Sequence, residues 1–76
     1  MNKQEIIKEV ERLPRAIMIK KYNRYKMFTM YRIMGGRMSE LPRNAVKEDI
    51  YKGLVKIVSI KRECILDADK KKSIKE

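Results

Sequence analysis

The side chains that could do chemistry in this sequence are basic and aromatic, and they concentrate between Arg12 and Ser39. This stretch contains no carboxylate, although the whole chain carries Asp and Glu and has a formal net charge of +10. Cations placed together in this way neutralise phosphates, and a field of one sign attracts polyanions. The candidate nucleic-acid-binding residues are Arg12, Arg15, Lys20, Lys21, Arg24, Lys26, Arg32, Arg37 and Arg43.

The same stretch holds every aromatic residue of the chain except Tyr51. Aromatic rings stack on bases, so rings among cations favour nucleic acid over a plain solubilising charge run. Aromatic and methionine side chains at helical spacing are more often core, and we expect that role for Met27, Phe28 and Met30. The predicted binding surface therefore rests mainly on the half of the stretch that ends at Lys26.

Catalytic chemistry is limited by the residue types that are missing. There is no histidine, and Cys64 is the only cysteine, which is too little for a zinc site. The hydroxyl groups lack an imidazole to activate them, and there is no glycine-rich phosphate loop. We expect a protein that is not an enzyme and that uses no cofactor, metal ion or small-molecule substrate.

Hydropathy and cysteine content indicate the compartment. No apolar run approaches the roughly 18 residues that span a bilayer, and no signal peptide is recognisable. A single cysteine cannot form an internal disulfide framework. We expect a cytoplasmic protein without a membrane partner.

The elements that must position these side chains are predicted to be helices. At 76 residues the chain is a single small domain, which we place at residues 1–69, followed by a charged and disordered tail at 70–76. Asn2 and Glu5 resemble a capping box, and apolar residues follow at helical spacing. The first helix should run from about Lys3 to Leu13, because Pro14 disfavours helical geometry at the residue before it.

The segment from Ala16 to Met34 has two interpretations. Wound as one helix, it carries an apolar stripe that changes face near Lys26. A β-hairpin with strands near 17–22 and 25–33 would also fit, which gives an α+β alternative with a hairpin at about 17–33. The helix is favoured, because the turn at Asn23-Arg24 would need a positive φ that arginine resists.

The third segment predicts a long helix after the stop at Gly35-Gly36. Asn44 can cap it, and its apolar stripe continues to about Ala68. Such a helix is longer than two short helices can cover, so we expect a homodimer, with a three-helix monomer as the alternative. The predicted dimer contacts are Ile50, Leu54, Ile57, Val58 and Ile65.

These observations predict an all-α bundle of about three helices that binds DNA or RNA and acts as a regulatory protein. A standard helix-turn-helix is not supported, since a turn at Gly35-Gly36 would place Pro42 inside the recognition helix. The main alternative is a homodimeric protein-protein interaction adaptor that does not bind nucleic acid. An interfacial membrane helix and a ribosome-associated protein are weaker alternatives.

Overall fold

The computed structural model describes the backbone of residues 1–75 and the side chains of residues 1–62. This part of the chain is helical and holds no β-strand, so the all-α prediction is confirmed and the hairpin alternative is wrong. The elements are α1 (Lys3–Arg12), α2 (Arg15–Lys21), α3 (Arg24–Ile33), a 3-10 turn (Met38–Glu40) and α4 (Lys47–Lys75).

Both ends of α1 follow from local chemistry. The side-chain oxygen of Asn2 accepts the backbone N–H of Glu5 at 2.9 Å, which satisfies one of the unpaired donors of the first turn. Leu13 is extended, as expected before a proline, and Pro14 then occupies the N-cap position of α2. The predicted first helix and the turn at Pro14 agree with the structure.

The segment from 16 to 34 is two helices where the sequence predicted one. Tyr22 and Asn23 are extended and separate α2 from α3. The side-chain oxygen of Asn23 accepts the backbone N–H of Lys26 at 2.7 Å, which makes Asn23 an N-cap. This break explains why the apolar stripe changes face. Each half of the segment is a separate helix, and each helix turns its own apolar side towards the core.

The glycine pair ends α3 as predicted. Gly35 has a φ of +93°, the left-handed conformation that favours glycine. Its N–H donates to the Arg32 carbonyl at 3.0 Å, and the Gly36 N–H donates to the Tyr31 carbonyl at 2.9 Å. This pair of hydrogen bonds defines a Schellman motif.

The long helix begins later and extends further than predicted. Val46, not Asn44, precedes its first residue, and the Val46 N–H donates to the carboxylate of Asp49 at 3.1 Å. The acceptor at the N-terminal end of α4 is therefore the side chain of Asp49, which lies inside the first turn of the helix. The backbone is helical through Lys75 and so includes most of the segment that we predicted as a disordered tail, whose side chains lie outside the described residues.

The core is built against α4, which contacts each of the three preceding helices. Methionines from α2, α3 and the end of α3 fill much of it, as their flexible and polarisable side chains allow. The predicted core role of Met27 and Met30 is confirmed, and Phe28 packs against the edge. The buried cluster comprises Ile6, Val10, Met18, Met27, Met30, Tyr31, Met34, Ile50, Leu54 and Val58.

Candidate nucleic-acid interface

Three of the predicted phosphate-binding cations form ion pairs within the chain. Arg12 and Lys21 both contact the carboxylate of Glu9, at 2.6 and 2.9 Å. Arg15 contacts Glu48 at 2.5 Å and so connects α2 to the start of α4. These cations are already partnered, so they are weaker candidates for phosphate contacts than their sequence positions suggested.

Glu9 is the centre of a small polar cluster between α1 and the junction of α2 with α3. Its carboxylate side chain is only 13% exposed and also accepts a hydrogen bond from the Tyr22 hydroxyl at 2.5 Å. The hydrogen bond from Tyr22, followed by that from Lys21, lowers the pKa of Glu9 from its ordinary value of 4.5 to about 2. In return, Glu9 raises the pKa of Lys21. The cluster fixes Lys21 and Tyr22 to α1.

Arg24 has a structural contact but keeps donors for a ligand. Its Nε–H donates to the carbonyl of Ala45 at 3.0 Å, and its guanidinium carbon lies 4.9 Å from the centre of the Phe28 ring. A guanidinium group has five N–H donors, and this carbonyl uses one of them. Arg24 therefore joins α3 to the turn before α4 while still able to meet a phosphate.

The other predicted cations form no ion pair with any carboxylate whose side chain the structure describes. Lys20 is exposed on α2, and Arg32 is exposed on α3, whereas Lys26 is half-buried. Arg37 and Arg43 are exposed in the connection that surrounds the 3-10 turn. The unpaired positive charge of the predicted surface thus comes from α2, α3 and this connection.

One side of α3 faces away from the core and carries both an aromatic ring and a cation. Tyr25, Thr29, Arg32 and Ile33, here called the α3 outer face, line a shallow concavity of about 420 Å³. Tyr25, Thr29 and Arg32 are spaced by four and three residues, which places them on one helical face. The Thr29 hydroxyl donates to the Tyr25 carbonyl at 3.1 Å.

The tyrosines of the basic stretch have three different environments. Tyr25 is 80% exposed, the largest exposed fraction among the large hydrophobic side chains that the structure describes. Tyr31 is buried, and its hydroxyl donates to Glu40 at 3.3 Å; burial, then the charge of Glu40, raises its pKa. Tyr22 is held by Glu9. Of these three rings, that of Tyr25 is the one open to a ligand.

The α3 outer face lies partly in the half of the stretch that we had assigned to the core. Met27 and Met30 are buried as expected, and Tyr31 and Met34 are buried too, but Arg32 is exposed among them. The signal was present in the sequence as the spacing of polar and aromatic residues opposite the methionines. It could be used only once the start of α3 at Asn23 had fixed the phase of the helix.

The residues predicted for a dimer contact lie mostly inside the chain's own core. Ile50 and Leu54 are fully buried by this chain alone, and Val58 is 4% exposed. Ile57 is half-buried, and Ile65 lies outside the residues whose side chains are described. The first three are therefore not free to contact a second copy.

A second concavity, which sequence reasoning missed, lies between α4 and the connection before it. It has a volume of about 560 Å³ and includes Leu41, Pro42 and Ile57 on its apolar side. Lys52 and Lys56, one helical turn apart, line it as well. These exposed lysines belong to α4 and are separate from the acid-free stretch.

Comparisons with known proteins identify no relative: no family model, no curated protein and no solved structure matches this chain. Within the described residues, no helix combines the length and apolar character needed to cross a membrane. No group of three His, Cys, Asp or Glu side chains in that part of the chain could hold a metal ion. Functional inference therefore rests on the geometry of the chain itself.

Proposed function

We propose that this chain is a non-enzymatic, cytoplasmic regulatory protein that binds nucleic acid through α2, α3 and the connection that follows. The observation that carries the proposal is the α3 outer face, where the exposed ring of Tyr25 and the exposed cation of Arg32 lie on one side of a helix. Rings and cations presented together match the two chemical parts of a nucleic acid, its bases and its phosphates.

The charge balance of the folded chain supports this proposal. Glu9 and Glu48 form ion pairs with Arg12, Lys21 and Arg15, but the remaining cations of the stretch have no partner among the described carboxylates. If about six cations reach phosphates, the logarithm of the binding constant should fall with the logarithm of salt concentration at a slope near -5. A slope near zero would remove the electrostatic basis of the proposal.

A homodimeric interaction adaptor is the second candidate, and exposed apolar side chains favour it. Ile17 is 45% exposed on α2, Val46 is 56% exposed before α4, and Ile60 is 50% exposed on α4. These residues come from three parts of the chain. The adaptor does not explain why most cations of an acid-free stretch have no partner among the carboxylates that the structure describes, and we therefore rank it second.

A charge-reversal experiment tests the proposed function. Lys20→Glu with Arg32→Glu changes two exposed cations, whereas the same change at Lys21 would place two carboxylates together at Glu9 and disturb the fold. Binding of fluorescent duplex and single-stranded oligonucleotides would be measured by anisotropy at two salt concentrations. We expect a loss of about tenfold or more and a salt slope that is smaller by about two.

The matched control is Lys52→Glu with Lys56→Glu on α4. This variant has the same net charge as the test variant but leaves α2 and α3 intact. It should bind nucleic acid more tightly than the test variant. Equal losses in the two variants would mean that diffuse net charge, and not this surface, attracts the nucleic acid.

A further inference from the structure

We propose that the ligand of the α3 outer face is single-stranded nucleic acid, one base of which stacks on the ring of Tyr25. This inference rests on the proposed function and specifies its substrate class. It assigns Tyr25 to the base and the cations of α3 to the phosphates.

The exposure of Tyr25 points to a ligand. The ring is 80% exposed, in a chain whose core places even long methionine side chains fully out of water. The ring of Phe28 stacks against Arg24, and the ring of Tyr31 is enclosed by the core, so both rings stabilise the fold. Tyr25 forgoes the stabilisation that burial of a large apolar side chain provides. Stacking of a base on the ring recovers stabilisation of a similar size.

The surroundings of the ring fit a base and its backbone. The Thr29 hydroxyl donates its hydrogen to the Tyr25 carbonyl, and Thr29 and Ile33 line the concavity beside the ring. Arg32 lies at the other end of this concavity, seven residues and so about 10 Å along the helix axis from Tyr25. A flat, weakly polar base can rest at one end while a phosphate of a neighbouring nucleotide meets Arg32 at the other.

The geometry favours a single strand over a duplex. In a duplex both faces of each base are already stacked, and opening a step to admit a tyrosine costs unstacking free energy. An unpaired base offers its face without that cost. Arg24 and Lys26 lie on α3 to either side of the helical face that carries Tyr25, and they add positive charge near the ring.

The test compares an oligothymidylate and an oligouridylate of about 12 nucleotides with a duplex of equal length. Tyr25→Ala should weaken binding of the single strands about 5- to 150-fold. Tyr25→Phe, which keeps the ring, should bind as the unchanged chain does. Because tyrosine carries no charge, the salt slope of Tyr25→Ala should stay unchanged, whereas Arg32→Gln should reduce it by about one.

The outcomes separate this inference from the proposed function. Tight duplex binding that Tyr25→Ala leaves intact would overturn the single-strand assignment and keep the proposed function. No salt-dependent binding of any oligonucleotide would overturn both. If Tyr25→Ala instead lowered the sedimentation mass of the protein without affecting single-strand binding, the ring would be a contact between copies and the inference would be wrong. Tyr25 is so exposed that its substitution should not prevent folding.

Discussion

The ring of Tyr31 on α3 lies against the backbone of Gly53 on α4. A Cβ atom placed on Gly53 would be 2.7 Å from Cε2 of Tyr31, closer than real contacts of this kind. Gly36 approaches the same ring, and a Cβ there would overlap it as well. Two glycines thus make the space in which the only buried aromatic ring of the described core packs.

Gly53→Ala should not stabilise the protein, although alanine is the better helix former. Alanine gains about 1 kcal/mol of helix propensity at an interior position. The added methyl group forces the Tyr31 ring or α4 to move, and overpacking of this kind costs about 1–3 kcal/mol. We therefore expect a free energy of unfolding that is equal or lower, measured by urea denaturation followed by circular dichroism.

A second substitution distinguishes overpacking from other effects. In Tyr31→Leu the ring is absent, so adding Gly53→Ala to that background should raise the stability by the helix-propensity gain. If Gly53→Ala raised the free energy of unfolding both with Tyr31 and with Tyr31→Leu, the ring would not limit the size of the side chain at this position.

Asn23→Ala should weaken the junction of α2 and α3. The Asn23 side chain accepts the backbone N–H of Lys26, and loss of an N-cap costs about 0.5–2 kcal/mol. Asn44→Ala is the matched control, because Asn44 is exposed and stands where the sequence predicted a cap that the structure does not contain. Thermal unfolding of the two variants should show a clear drop in Tm for Asn23→Ala alone.

The sequence predicted those elements whose signals are local. Periodic apolar residues predicted α1 and α4, and the glycine pair predicted the end of α3. Asn23 was assigned to a possible hairpin turn, since an asparagine can serve as a turn residue or as a helix cap and its local sequence does not decide between them. Only the packing of Met18 and Met27 in one core distinguishes the two uses.

The sequence predicts which segment is basic, but it does not predict which of its side chains are free to bind a ligand. Arg12, Lys21 and Arg15 reach carboxylates that are on the same helix, on a neighbouring helix or far along the chain. Glu9 lies before the acid-free stretch and Glu48 lies after it, so counting charges within the stretch could not reveal these pairs. Which cations remain for a ligand depends on the tertiary fold.

Glu9 should make stability fall at acidic pH. Its pKa in the folded chain, about 2, lies below its ordinary value of 4.5. A carboxylate with a lowered pKa contributes stability that is fully present above its ordinary pKa and is lost as the pH falls towards its folded value. The free energy of unfolding should therefore decrease between pH 4.5 and about 2, and Glu9→Gln should remove part of this decrease.

The control for this dependence is Glu5→Gln, on the same helix. Glu5 is exposed and forms no ion pair with a described cation, so this variant retains the Glu9 cluster. Its stability should follow the pH dependence of the unchanged chain. If Glu9→Gln also followed that dependence, the cluster around Glu9 would not be the source of the acid sensitivity.

Leu54→Ala should distinguish a core position from a dimer contact. Leu54 is fully buried by its own chain, and truncation of a buried leucine to alanine costs about 2–5 kcal/mol. Because no partner copy is needed to bury it, this loss should be the same at every protein concentration. Val55→Ala, at a neighbouring position that is 37% exposed, should cost much less. Urea denaturation of both variants over a roughly hundredfold range of protein concentration would check this prediction.

A loss of stability in Leu54→Ala that appeared only at high protein concentration would instead place Leu54 at an interface between copies, as the sequence predicts.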